Sequence, residues 1–495
     1  MDISLLKAKH INTTTALFLI AAPFVTVLYA SFLYNPANAD NLILYALQLL
    51  ADTIGMLVIA SLWITIMMEI FMPSHHHAYK LPTKKNDKFK PTVDVFITTA
   101  GEPVSVILDT VDAALALDYP HNTIVLDDAQ SKSLERQIDL RGAHYLSRSK
   151  NTHAKAGNLN FGLNYSSSDF FIIFDADQVP KKKFISTILP LMQDEKIAMV
   201  QTPQHYSNRG NLIADGSASS QDIFYKYVCP AKNISNSVFC VGTNVLFRRS
   251  AVNEIGGISL ISHSEDIWTS YKMHEKGWKT LFVNKILAVG LAPTSISSFL
   301  KQQLRWARGG FEMFFYDNPL LSKKLTIDQK LQYFYSNSFY FVGVTILAYI
   351  LFPIIYLLFD TKPISAVSEI DWILHYIPYV ALYYSLSWLL IGKLNISLLS
   401  VSLASFYPYV LALWYSVVSK SHSWVATSAT ASGQDAKMKW LWPYVLIIVL
   451  TIAGLIIGWY EVLNFWTTLF YSLLASYNLY LVYRFITYKQ GGSHI

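Results

Sequence analysis

Cysteine is nearly missing: Cys229 and Cys240 are the two in 495 residues, too few for a disulfide framework. Charge is sparse as well, with 15% charged residues against 53% hydrophobic ones. That balance excludes an ordinary soluble protein, and the 14% aromatic content suits a membrane boundary. The chain shows no internal repeat and no low-complexity tract. A net charge of +6 is modest. It fits loops near anionic lipid and an anionic substrate, and it does not point to nucleic acid.

What the chain does have is long apolar stretches at both ends. Thr14–Tyr34 and Leu42–Met72 are long enough to span a bilayer. The first lacks the small-residue cleavage pattern of a signal peptide and is expected to stay as an anchor. Composition then turns to that of a soluble domain, from about His75 to Lys330. Further apolar stretches follow at Phe339–Phe359, Trp372–Ile391, Ile396–Val418, Leu441–Tyr460 and Phe465–Val482. Lys7 and Lys9 precede the first span, and Lys80, Lys84, Lys85, Lys88 and Lys90 follow the second. By the positive-inside rule both termini and the central domain are cytoplasmic in an inner (plasma) membrane. Seven crossings would put Lys420, Lys437, Lys439, Arg484 and Lys489 outside. Six are expected, with Ile396–Val418 lying at the cytoplasmic interface.

The central segment alternates strand-like and helix-like patterns. VDVFITT (Val93–Thr99), NTIVLDDA (Asn122–Ala129), Phe170–Phe174 and AMVQTPQ (Ala198–Gln204) read as strands, and Val104–Leu117 as a helix. This implies an α/β domain with a mainly parallel sheet, Rossmann-related, inserted between membrane helices. Ligands of such sheets bind beyond the carboxyl ends of the strands. Thr98–Glu102, Asp127–Asp128 and Asp175–Asp177 all fall there and are expected on one rim. Taken alone, Asp175-Ala176-Asp177 reads as a polar turn. Residues two apart in an extended segment face the same way, however, so both aspartates could hold one Mg²⁺ or Mn²⁺. Lys155 and Arg305 are available to neutralise a diphosphate. Glu265 and Asp266 read as N-terminal helix acids, or one of them as a general base.

Eight motifs follow in order: TTAGE (Thr98–Glu102), LDD (Leu126–Asp128), HAKAGNLN (His153–Asn160), DAD, QTPQHY (Gln201–Tyr206), FCVGTN (Phe239–Asn244), SED and QQLRW (Gln302–Trp306). Together they resemble the membrane-integrated, processive family 2 glycosyltransferases, and among these the cellulose synthases, over Pro91–Gly310. The resemblance implies a GT-A-like domain at 75–295 after two membrane helices at 1–74. It also implies amphipathic interface helices at 296–336, and at 337–495 a channel of about four helices with a gating-type loop at 420–440. Thr98 and Glu102 would line the uridine side, and Asp128 would contact uridine diphosphate. Asp175 and Asp177 would place the diphosphate and metal, with Asp177 the direct ligand. Asp266 would be the base, beside Glu265. Lys155, Gln302 and Arg305 would hold the diphosphate, Cys240 would line the acceptor site, and Trp306 would stack on the acceptor sugar. Trp424 and Thr427 would belong to the gating loop, although Ala426 and Ala429 depart from its pattern.

The implied reaction is processive, inverting transfer of glucose from UDP-glucose to a growing β-glucan, exported through the chain's own channel. FCVGTN carries one residue more than the cellulose wording, so β-1,3 or β-1,2 bonds stay open beside β-1,4. Bacterial cellulose synthases continue in a cyclic-di-GMP-binding domain; none follows the last span here, so other regulation, or none, is expected. The rivals are a hyaluronan- or chitin-type synthase using UDP-N-acetylglucosamine, a non-processive lipid-phosphate sugar transferase, and a non-catalytic transporter. Expected partners are the UDP-sugar donor, the polysaccharide acceptor and membrane lipid, with no nucleic acid; self-association stays open. Asp52, an acid inside the second apolar stretch, is a functional suspect by position.

Overall fold

Apolar runs that stop at acids set the strands of the central domain. The computed structural model describes residues 13–71, 88–262, 264–364, 368–418, 434–462 and 464–488. Nine strands occur among them: β1 (Val93–Thr99), β2 (Asn122–Asp127), β3 (His144–Ser147), β4 (Phe170–Asp175), β5 (Val179–Pro180), β6 (Ile197–Gln201), β7 (Val245–Arg248), β8 (Lys279–Phe282) and β9 (Ala288–Val289). Seven form one sheet in the order β3-β2-β1-β4-β7-β6-β8, and β5 pairs with β9. β1 is parallel to β2 and β4, and β2 to β3. β7 runs against both β4 and β6, while β6 is parallel to β8. Every strand of the large sheet except β7 therefore ends on the same rim. The register sets Thr98 beside Asp175 and Thr99 beside Asp127.

β1 and β6 are buried along their whole length, as expected of strands covered on both faces. Alternation sends Val95, Ile97, Ile172 and Phe174 to one face, where Ile107, Val111 and Ala114 of helix Val104–Leu115 cover them. Phe96, Leu126, Phe171 and Ile173 point to the other, against Leu159 and Leu163 of helix Ala154–Tyr165. Each such side chain stabilises the fold by about 1.5–3 kcal/mol on burial. The sheet is thus a rigid platform with its chemistry at one end.

Among the described residues four helices are long and apolar enough to cross a membrane: Leu42–Thr65, Ile327–Phe359, Ile396–Val418 and Trp440–Tyr460. Helices Thr13–Leu33, Glu369–Ile391 and Phe465–Ile486 pack among them. Large apolar side chains such as Phe24, Leu42, Ile456 and Trp466 face outward, which suits a lipid surround. Asp52 is sealed inside this bundle. Tyr29 donates to it at 2.6 Å, and Gln48 and Tyr349 donate as well, so the acid joins three helices.

The segment Ile396–Val418 is two helices, Ile396–Ala404 and Phe406–Val418, meeting at Ser405. Both are fastened to the central domain. Asn395 donates to Ser219 at 2.8 Å and to Asp215 at 3.1 Å on helix Leu212–Ile223. Tyr409 donates to Gln303 at 2.8 Å, and Tyr316 donates to the Ser416 carbonyl. The segment thus meets the length for a crossing while half of it is buried against protein.

Candidate active site

The rim is built from the loops after β1, β2 and β4, the FCVGTN loop, and the helices that carry Lys155, Glu265–Asp266 and Gln302–Trp306. On the β1 side, Glu102 accepts hydrogen bonds from Thr99 Oγ1 at 2.6 Å and Ala100 N at 2.7 Å. Glu102 thereby shapes the Thr98–Glu102 turn. At the end of β2 the two aspartates separate in role. Asp127 is fully buried and accepts from Ala129 N, Ser131 N and Tyr145 Oη, each at 2.8 Å. Asp128 is gripped by both Arg148 Nε (2.7 Å) and Arg148 Nη2 (2.9 Å).

β4 stops at Asp175, and a turn follows in which the Asp175 carbonyl accepts from Gln178 N at 3.0 Å; Ala176 is 2% exposed within it, whereas Asp175 and Asp177 are half-buried at the rim. Thr98 Oγ1 donates to Asp175 at 3.3 Å, and Asp175 N donates to Thr243 Oγ1 at 2.9 Å. Lys155 Nζ donates to Asp175 and, at 2.8 Å, to the Gly242 carbonyl. Burial lowers the Lys155 pKa, but the charges of Asp175 and Glu265 outweigh it and hold the ammonium above its ordinary value. The Asp177 carboxyl is pushed up to about 7, by burial first and then by Asp175 and Glu102. Like charges crowded in this way call for a cation. Among the described residues no three His, Cys, Asp or Glu side chains converge on a metal-sized point. Asp175 and Asp177 supply two hard oxygen donors, which fits an Mg²⁺ or Mn²⁺ that completes its shell with phosphate and water.

The FCVGTN loop carries the site across to the acid pair. Gln201, fully buried, donates to the Thr243 carbonyl and accepts from Val241 N at 3.1 Å, so the additional residue is held in place. Gly242 adopts φ +90°, and a Cβ there would lie 3.3 Å from Asp266 Oδ2 and 3.6 Å from Lys155 Nζ. Asp266 therefore meets the Lys155–Asp175 pair across a bare glycine. Burial, then the Glu265 charge, raise the Asp266 carboxyl above the usual carboxylate range. Cys240 is buried beneath this loop, and burial pushes its thiol far up.

Glu265 and Asp266 open helix Glu265–Glu275. Helix Ile296–Tyr316 holds them in place: Ser262 donates to Glu312 at 2.7 Å, and a Cβ on Gly309 would lie 2.5 Å from Ser264 Cβ. Gln302, Arg305, Trp306 and Gly309 share one helical face by their spacing. The opposite face, Ala307 and Phe311, packs on Tyr409 and Ala412. Arg305 acts electrostatically on both Lys155 and Asp266. Thr98, Glu102, Asp128, Lys155, Asp175, Asp177, Glu265, Asp266 and Arg305 are thus gathered at one rim, with Gln302 and Trp306 on the helix beside it. Trp424 and Thr427 lie outside the described residues. Arg148 and Gly309 carry no motif of their own and were not singled out from sequence, and Gln201, though it opens QTPQHY, was given no role; the signal of all three is contact with residues that were.

Residues 91–309 match the model of the glycosyltransferase like family 2, and residues 252–423 match that of cellulose synthase. The chain is 32% identical over 299 residues to cellulose synthase 1 catalytic subunit [UDP-forming] of Komagataeibacter xylinus, covering 59% of this chain and 40% of that protein. It is 34% identical over 281 residues to the cellulose synthase catalytic subunit [UDP-forming] of Pseudomonas fluorescens, covering 55% and 38%. The chain thus spans about two fifths of the length of these relatives. In fold it is similar to mannosyltransferase PcManGT from Pyrobaculum calidifontis, solved in complex with GDP-Man and Mn²⁺. The TM-score is 0.52 at 14% identity, covering 76% of this chain and all of that one. The two matching models run from residue 91 to residue 423 across a glycosyltransferase sheet and apolar helices. The chain is an integral membrane protein that carries a region matching glycosyltransferase family 2 over residues 91–309 and one matching cellulose synthase over residues 252–423.

Proposed function

We propose that the chain is a processive, inverting β-glucan synthase that takes glucose from UDP-glucose and passes the polymer through its own membrane helices. The observation that carries this is the convergence of Asp175, Lys155 and Asp266 around Gly242, with Arg305 near enough to act on both Lys155 and Asp266. Donor-side and acceptor-side groups meet within a few ångströms, as a single in-line displacement requires. The relatives named UDP-forming cellulose synthases support the donor class.

In the proposed step Asp266 accepts the proton of the acceptor hydroxyl as its oxygen bonds to the anomeric carbon. The bond from that carbon to the diphosphate oxygen breaks, and uridine diphosphate leaves. The raised Asp266 carboxyl suits a base working near neutrality. Lys155 and Arg305 stabilise the departing negative charge. Asp175 and Asp177 would hold a divalent ion, which when bound neutralises the diphosphate. Trp306 offers its ring to the terminal acceptor sugar, and Thr98, Glu102 and Asp128 lie toward the nucleoside. The domain layout of two membrane helices, a transferase domain, interface helices and a channel is part of this proposal. So are six crossings and a cytoplasmic active site. The fastening of Ile396–Val418 to helix Leu212–Ile223 of the transferase domain and to the interface helix Ile296–Tyr316 supports its placement at the interface.

The test is Asp266→Asn in the full chain in detergent. UDP release from UDP-glucose should fall by at least about 10²-fold, while UDP with Mn²⁺ still binds. Retained polymerisation would reject Asp266 as the base.

A further inference from the structure

Arg148 links the Asp128 carboxylate to the turn that precedes the Lys155 helix. Its guanidinium grips both Asp128 oxygens, at 2.7 and 2.9 Å, and the two side chains are only 9% and 8% exposed. The same guanidinium donates to the carbonyls of Thr152 and Ala154, each at 2.6 Å. Those carbonyls belong to a turn in which His153 and Ala154 take φ +58° and +42°. That turn launches the helix carrying Lys155. Two further bonds close the ring: Asn151 donates to the Asp128 carbonyl at 2.7 Å, and Gln130 donates to the Arg148 carbonyl at 2.6 Å. Gly157 completes the arrangement. A Cβ there would overlap both Arg148 Nη1 and the Thr152 oxygen.

We propose that Arg148, seated across Gly157, is a positioning residue that fixes the Asp128 carboxylate for the donor's nucleoside. This rests on the proposed UDP-sugar donor. An ionised carboxylate is acceptor-only, and a bidentate arginine leaves it further lone pairs. Asp128 so held takes an N–H or O–H of the nucleoside in one fixed orientation. Lysine would keep the charge but has no planar fork, and it could not hold Asp128 and two carbonyls together.

The experiment uses the full-length protein in detergent with Mn²⁺. Affinities for UDP and for inorganic pyrophosphate, which has no nucleoside, are measured by calorimetry for Arg148→Lys, Arg148→Gln and Gly157→Ala. Each variant should bind UDP at least about tenfold more weakly, one bidentate contact's worth of free energy at 1.4 kcal/mol per decade. Pyrophosphate affinity should stay within about twofold, and the donor KM should rise more than kcat falls. UDP affinity within about twofold in the two Arg148 variants would overturn the proposal. So would a parallel loss of UDP and pyrophosphate, which marks general damage, or full rescue by lysine. If the unaltered protein binds another nucleoside diphosphate in preference to UDP, the uridine donor is wrong. The same comparison is then run with that nucleotide, and its outcome decides on Arg148.

Discussion

Gly309→Ala should cripple turnover without touching substrate. In a helix this change ordinarily stabilises, by about 0.5–1 kcal/mol. Here the added Cβ would lie 2.5 Å from Ser264 Cβ and nearer still to its hydroxyl. Carbon atoms pack at about 3.5–4.0 Å, so the Ser264 segment must retreat by about 1 Å. A Ser264 rotamer change cannot relieve it, because the Cβ itself is in the way. Ser264 immediately precedes Glu265 and Asp266, so the retreat moves the proposed base away from the acceptor oxygen. A 1 Å misplacement costs about 10²-fold in rate, and overpacking offsets the helical gain by about 1–3 kcal/mol. The assay is UDP release from UDP-glucose, alongside UDP affinity and thermal unfolding. We expect kcat down about a hundredfold and UDP affinity nearly unchanged. Ser264→Gly, which removes both nearby side-chain atoms, should restore much of the loss in the double variant. Gly309→Ala retaining a third of the activity would refute the contact as the device that seats the base.

Other outcomes follow from the same rim. Asp266 must be ionised to accept a proton and its carboxyl is raised. Turnover should therefore fall on acidification well above the range near pH 4 of a free carboxylate, as a kcat–pH profile would show. Asp177→Asn should abolish the Mn²⁺ dependence of UDP binding, measured by titration with and without chelator. Asp127→Asn should lower stability by about 1–3 kcal/mol, because an amide NH₂ in place of one buried oxygen cannot accept from Ser131 N and Tyr145 Oη or, flipped, from Ala129 N. Denaturant unfolding would measure that, and UDP affinity should change less than in Asp128→Asn.

β1, β2 and β4 were legible because unbroken apolar runs ending in acids mark covered parallel strands. β3, β7 and β8, four residues each, give too little pattern to be told from loops. The antiparallel entry of β7 between β4 and β6 is a tertiary choice that no local signal carries. The Asp175–Asp177 stretch was readable as a polar turn; that this turn buries Ala176 and leaves both carboxyls at the rim is set by the turn after β4 and not by strand alternation. That Asp127 is structural and Asp128 is held by arginine was not readable from spacing, since adjacent acids look alike. The contact between Gly309 and Ser264 joins positions 45 residues apart by number, and only packing reveals it. Asp52 stood out by position alone, and only packing shows that it is buried with Tyr29, Gln48 and Tyr349 as its donors.

The most direct test is UDP release by the purified chain with Mg²⁺ or Mn²⁺, offered UDP-glucose, UDP-N-acetylglucosamine and UDP-glucuronate singly and in pairs. Linkage-specific glucanases would then be applied to any polymer. The account predicts turnover with UDP-glucose alone and a product that a β-glucanase digests. Turnover only with N-acetylglucosamine donors, or none with any donor, would contradict it.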